Sequence, residues 1–267
     1  MGRPKMIANL MMYQRPQLVE AHDQYWALIR KHLAIAGIDS PETLSQDAEE
    51  FFVWKHPDLV LSQTCGMPYR TWLHDKVELV GTPDYGLANC PAGYYRSAII
   101  VRADDTRSEV AAYKDATFAY NQTFSQSGYA APFWHLKPHG FWFENRLQTE
   151  QHFASARAVA NGSADIASID AVTWRNVETY EPFANQLRVL AWTKPTPGLP
   201  LITSLGSDAG IIFNAVEGAI AELDAQNRSL LGIKGIVKVP KEAYLAVRNP
   251  DEALSGGTPP TSVLSGI

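Results

Sequence analysis

No stretch of the chain holds the roughly 20 consecutive apolar residues that a membrane-spanning helix needs. Nor is there a basic excess: 23 Lys and Arg stand against 28 Asp and Glu, a formal net charge of −5. That balance lacks the electrostatic footprint of a nucleic-acid binder, so no nucleic-acid partner is expected. An anionic ligand would have to be held by local dipoles and hydrogen bonds rather than by overall charge. Cysteine is scarce. Cys65 and Cys90 are the only two, which allows at most one intramolecular bridge and leaves two buried thiols as the ordinary alternative. The sequence has no G-x-x-x-x-G-K-[ST] loop, and no G-x-G-x-x-G follows its first predicted strand. The serines near residue 125 do not sit in G-x-S-x-G, which excludes a nucleophile elbow. His135 and His139 are spaced i,i+4, but Pro138 breaks the helix that would align them and no third ligand is near, so no metal is expected.

What is present is an ordinary globular balance, with 46% hydrophobic and 19% charged residues among 267. One large domain or two small lobes fit this length. Strand and helix patterns alternate. Ile7–Met12 reads as a first strand, and 17–36 carries apolar residues at helical spacing (Leu18, Tyr25, Trp26, Leu28, Ile29, Leu33) up to Gly37. The short apolar runs 51–54 and 59–61 read as β-type, followed by a helix over 67–73 and strands over 77–81 and 95–102. The rhythm continues with a strand over 117–120, helices over 149–161 and 172–175, and strands over 164–169 and 187–192. A helix over 209–225 completes it. Lys194 to Pro200 is too rich in proline for a helix or a central strand and reads as a linker. The pattern predicts an α/β fold with a mostly parallel sheet. The apolar start, Ile7–Met12, is too short for a signal-peptide core, so the chain is expected either to be cytoplasmic or to have lost a leader. Ser255–Ile267 is expected to be poorly ordered.

The strongest local signal is Ser125-Gln126-Ser127-Gly128, between a predicted strand and a predicted helix. A helix start exposes unpaired N–H groups and the positive end of the dipole. Two hydroxyls flank the turn and Gly128 lets the backbone come close, which together suit a phosphate-like anion. The plainer alternative is a serine N-cap, worth about 1 kcal/mol. Gln63-Thr64-Cys65-Gly66 is a second polar strand-to-helix turn, and Tyr13 lies just past the first strand. In open α/β sheets ligands bind at the carboxyl ends of strands, so these positions are candidates for one crevice. His152 begins a helix and by itself would titrate near neutral pH; alone it reads as a surface histidine. Asp170 ends a short apolar strand, and alone it reads as the N-cap of the next helix. The aromatic run Phe133-Trp134 with Phe141-Trp142-Phe143 reads as core.

Taken in order, these segments resemble the phosphate, phosphite and phosphonate substrate-binding proteins of ABC transporters. The resemblance rests on Gln63-Thr64-Cys65-Gly66, Gly93-Tyr94-Tyr95-Arg96-Ser97-Ala98, Ser125-Gln126-Ser127-Gly128, His152-Phe153-Ala154-Ser155, the stretch from Gly162 to Asp170, and Thr196-Pro197-Gly198-Leu199-Pro200. It implies a type 2 periplasmic-binding fold: two α/β lobes, one formed by 1–100 and 196–267 and the other by 101–195, with a ligand between them. It also implies that Ser125, Gln126 and Ser127 hold phosphorus-group oxygens and that His152 reaches the same oxygens. Tyr13, Gln63 and Thr64 would contribute from the first lobe, and Asp170 would set the ligand's far end or its protonation. Related chains carry Ser-Thr-Ser where this one has Ser-Gln-Ser, which leaves the ligand itself open. A Cys65–Cys90 bridge, a periplasmic location, a permease partner, a monomeric state and the absence of catalysis and cofactor are further implications. The alternatives on the same fold are a carboxylate, sulfonate or pyrimidine-type ligand, or a thiamin-precursor-type enzyme.

Overall fold

The structure is a computed structural model describing residues 6–251. The tail expected to be loose, 255–267, lies outside the described residues, as do the first five. Ten strands build two five-stranded sheets: β1 (Ile7–Asn9), β2 (Leu59–Gln63), β3 (Val77–Asp84), β4 (Ser97–Arg102), β5 (Phe118–Tyr120), β6 (Arg146–Gln148), β7 (Ile166–Asp170), β8 (Leu187–Trp192), β9 (Leu201–Ser204) and β10 (Gly235–Val237). The chain divides into two compact units. The first holds the residues up to Gly86 and Pro197–Leu245; the second holds Leu87–Thr196 and the segment from Ala246. Strand β4 belongs wholly to the second unit; the chain passes over after Gly86 and returns at Thr196 to Pro197.

In the first unit the strand order is β1-β2-β9-β3-β10. β1 pairs parallel with β2, while β9 is antiparallel to both β2 and β3. β1, β2 and β3 therefore run one way, and their carboxyl ends share an edge. The helix Val19–Ile35 buries Ala21, His22, Tyr25, Trp26, Ile29 and Leu33, which include Tyr25, Trp26, Ile29 and Leu33 of the stripe read from the sequence, and leaves Leu28 only partly buried. It ends at Gly37, whose φ of +75° is a conformation that glycine adopts at no steric cost. The helix Ala209–Glu222 joins the same core, its start capped by Asp208, which accepts from the Gly210 and Ile211 N–H groups.

The run 51–54 is a helix, Glu50–Trp54, and not the expected strand. The Glu49 carboxylate accepts from the N–H groups of Phe51 and Phe52 at 3.1 and 2.7 Å, which starts the turn. Phe51 and Trp54 then meet edge-to-face with centroids 5.1 Å apart, the i,i+3 contact of a helix.

In the second unit the order is β6-β5-β7-β4-β8 when each strand is placed beside its partners. β5 is parallel to both β6 and β7, and β4 is antiparallel to β7 and β8. Alternate residues of β4 enter separate cores: Ala98 and Ile100 on one face, Ile99 and Val101 on the other. That two-sided burial accounts for the consecutive apolar residues Ala98 to Val101. The aromatic segments pack as core, with Phe118 and Phe143 stacked at 4.7 Å and Trp142 at 5.2 Å from Phe118.

Ile202 sits at the centre of the first sheet with no exposed surface. Ile202→Ala is expected to lower unfolding free energy by about 2–5 kcal/mol. Lys31→Ala, which removes an exposed ion pair to Glu222, is expected to cost less than about 1 kcal/mol. Urea unfolding of the two variants measures both, and similar losses would contradict the core assignment.

Candidate functional site

The second unit brings three predicted segments to one edge. β5, β6 and β7 are parallel, and each ends in a candidate: the Ser125–Gly128 turn follows β5, His152 follows β6, and Asp170 is the last residue of β7. The turn is pinned by its own side chains. Ser125 caps the helical stretch that begins at Gln126, its Oγ accepting from the Gly128 N–H at 3.0 Å. The Ser127 carbonyl accepts from Ser168 Oγ, on β7, at 2.7 Å. Ser127 Oγ lies 2.8 Å from His152 Nε2. Ser125, Gln126 and Ser127 are all buried, at 3%, 2% and 4% exposure.

Gly128 is fixed by sterics rather than by backbone angle. A Cβ there would come within 1.9 Å of Asn121 Oδ1 and 3.2 Å of His152 Cε1. The turn therefore packs directly against the segment that follows β5 and the one that follows β6. Asn121 Oδ1 is itself buried without a hydrogen-bond partner in the structure.

His152 is the first residue of the helix His152–Ala160. The residue keeps some exposed surface, but its Nδ1 is buried. Burial is the main cause that pulls its pKa from 6.5 down to about 4, against a smaller upward effect from the Ser168 backbone. This corrects the expectation of titration near neutral pH: the imidazole is neutral there, and it is tied to Ser127 rather than lying loose on the surface. Asp170, 2% exposed, caps the helix Ala171–Tyr180, its Oδ1 accepting from the Val172 and Thr173 N–H groups at 2.7 and 3.1 Å. The N-cap read from the sequence is present.

The first unit repeats the arrangement on its own sheet. Tyr13 ends a turn after β1, Gln63 ends β2, and Tyr85 follows β3. Gln63 Nε2 donates to the Leu199 carbonyl at 3.2 Å and meets the Tyr85 hydroxyl at 3.4 Å. Tyr13 and Tyr85 pack edge-to-face at 5.1 Å. Trp54 Nε1 donates to the Gln63 carbonyl at 3.1 Å, so the helix misread as a strand helps to position this turn. Thr64 is fully buried, its N–H donating to the Pro200 carbonyl at 3.0 Å. Tyr85 was not among the sequence candidates. The signal was the length of β3: ending that strand at Asp84 instead of Gly81 puts Tyr85 at its carboxyl edge. Cys65 lies in the first unit and Cys90 in the second, each as a thiol in the structure.

A family described as the phosphonate periplasmic substrate-binding protein of ABC transporters matches residues 63–244, and the chain belongs to it. The match includes Gln63, Thr64, the Ser125–Gly128 turn, His152 and Asp170; Tyr13 lies before it. PhnD1 from Prochlorococcus marinus in complex with methylphosphonate aligns with a TM-score of 0.67 at 16% identity, over 94% of this chain and 98% of that one. A binding-protein component of an ABC phosphonate transporter from Pseudomonas aeruginosa aligns at 0.65 and 16% identity, over 90% and 83%. A Xanthomonas citri protein bound to ATP aligns at 0.66 and 14% identity, over 94% and 96%. The fold is the type 2 periplasmic-binding architecture. No curated protein matches the sequence. Among the described residues no helix is long and apolar enough to cross a membrane.

Two outcomes follow from this geometry. Gly128→Ala is expected to force the turn away from Asn121 and lower stability by about 1–3 kcal/mol, read by chemical denaturation. The depressed pKa of His152 makes stability depend on pH. The unfolded chain takes up the proton as pH falls through 6.5, whereas the folded chain resists until about 4. The His152 contribution is therefore complete above 6.5 and is lost as pH falls through that window, by about 1–3 kcal/mol. Buried His22, also lowered, acts in the same direction. The test is the difference between the native chain and His152→Gln, measured by urea unfolding at pH 7 and pH 5. Equal pH dependence in the two chains would refute the assignment to His152.

Proposed function

We propose that this protein binds a small phosphorus oxyanion at the Ser125–Gly128 turn and hands it unchanged to an ABC-transporter permease. The observation that carries this reading is the turn itself: two buried serine hydroxyls on a helical start, locked to β7 through Ser168 and to His152 through Ser127, at the carboxyl edge of three parallel strands. Hydroxyls and helix-start N–H groups suit a compact tetrahedral anion in a chain of net charge −5. Membership of a substrate-binding transport family supports binding without catalysis, and the family's periplasmic setting supports the same location here. We take the working unit to be a monomer. Asp170 serves the turn's surroundings as a helix cap. Tyr13, Gln63, Thr64 and Tyr85, at the corresponding edge of the first unit, are the next residues to test for ligand contact.

Gln126 favours keeping the ligand class open to test. It is fully enclosed in the turn, where an amide is larger than a hydroxyl group and presents a different donor. Titration calorimetry with phosphate, phosphite, methylphosphonate and 2-aminoethylphosphonate addresses this. At least one is expected to bind, and Ser125→Ala is expected to weaken that ligand about tenfold or more by removing a buried hydrogen bond to a charged group. Heat only with carboxylates, sulfonates or pyrimidine precursors would replace the phosphorus ligand, and turnover seen by mass spectrometry would overturn binding without catalysis.

A further inference from the structure

We infer that His152 sets the direction of the Ser127 hydroxyl proton, so that the Ser125–Gly128 turn presents two outward O–H donors and takes the fully ionised form of its oxyanion. This rests on the phosphorus-oxyanion reading above and deepens it by specifying the ligand's protonation state.

The two serines are held in parallel ways. Ser125 Oγ is used inside the protein as an acceptor, for the Gly128 N–H. Its own proton has no acceptor among the described residues, although the side chain is buried. Ser127 Oγ has one protein partner, His152 Nε2 at 2.8 Å. A single proton lies between those two atoms, and its owner decides what Ser127 offers a ligand. If the imidazole owns it, Nε2–H donates to Ser127, whose O–H is then turned outward like that of Ser125. If Ser127 owns it, the ligand meets only oxygen lone pairs, and a protonated P–OH would fit instead.

Two observations place the proton on Nε2. Nδ1 is buried with no hydrogen-bond partner, and an orphaned buried N–H is rarer in proteins than an under-used acceptor. His152 opens its helix and Gln151 provides no side-chain cap, so the ring sits at the positive end of the dipole. A lone pair on Nδ1 is favoured there over an N–H.

The surroundings leave little else to titrate. The ring is faced by Ser127 and Gly128 from the turn, and by Ser168 from β7, with Asn121 packed against Gly128. None of these ionises, and no charged side chain contributes to the shift of His152. His152 is a positioning residue in this scheme, acting on the ligand through Ser127.

The test is calorimetry with phosphite and with methylphosphonate between pH 5.5 and 9, in two buffers of different ionisation heat. Nitrogen-detected NMR of the imidazole accompanies it. Affinity is expected to rise about tenfold per pH unit up to the ligand's second ionisation and to level off above it. The break should differ between the two ligands, with one proton released below it. The NMR spectrum should show the Nε2–H tautomer. His152→Phe should weaken binding and flatten the pH slope, whereas His152→Gln, whose amide can donate to Ser127, should restore much of both. Affinity that is flat or falls with pH, or an Nδ1–H tautomer, overturns the inference while leaving the binding function intact. Absence of binding to either anion at every pH would overturn the functional reading and this inference with it.

Discussion

A 2.8 Å hydrogen bond between Ser127 and His152 joins two segments of chain that leave neighbouring strands. It is possible because β5 and β6 are parallel, so that both segments emerge at the same edge. The same edge brings in β7, whose Ser168 hydroxyl holds the Ser127 carbonyl. Each of these bonds satisfies a buried polar group that would otherwise cost about 1–3 kcal/mol. Together they hold the turn at the carboxyl edge of β5, β6 and β7. The lack of space at Gly128 completes the constraint: the turn cannot drift from Asn121 and His152 without opening a void, and cannot carry a side chain without a clash. On the proposed reading, binding geometry and fold stability share one set of contacts.

The protein's electrostatics follow from that arrangement. The chain is acidic overall, and the groups that define the turn are neutral at physiological pH: two hydroxyls, an imidazole and backbone amides. Burial keeps His152 neutral. A protonated imidazole would bring charge to the turn but would also lose its surroundings' support, since no carboxylate acts on it. Neutral dipoles fixed in advance need no rearrangement when an anion arrives. They also distinguish anions by where protons lie, a distinction that a flexible cation would blur.

Much of this was legible in the residues. The helix 19–35, a strand over 97–102 and the Ser125–Gly128 turn follow from periodicity and turn chemistry, whereas the burial of that strand on both faces does not. The helix 50–54 was not legible because a four-residue apolar run has no resolvable period and its cap is a glutamate, outside the usual capping residues. The short elements 225–231, 235–237 and 241–245 gave too little pattern to read. Tyr85 was hidden by an underestimated strand end. The partner of His152 lies 25 residues away in sequence, and only the parallel pairing of β5 and β6 brings the two together. Its local sequence pointed to a surface residue for that reason.

The strand that runs against its sheet explains why the passages between the units leave little trace in the sequence. In each unit the minority direction includes the strand that follows a passage of the chain: β4 after Gly86, and β9 after Pro197. Each is paired on both sides, β4 between β7 and β8, and β9 between β2 and β3. A centrally paired strand is buried along its whole length, so its sequence carries neither the polar alternation nor the turn residues that would advertise a domain boundary. The arriving strand fills the sheet's interior while leaving the parallel strands β5, β6 and β7 with open carboxyl ends. The residues at those ends are free to serve a ligand because the reversed strand, not they, closes the core.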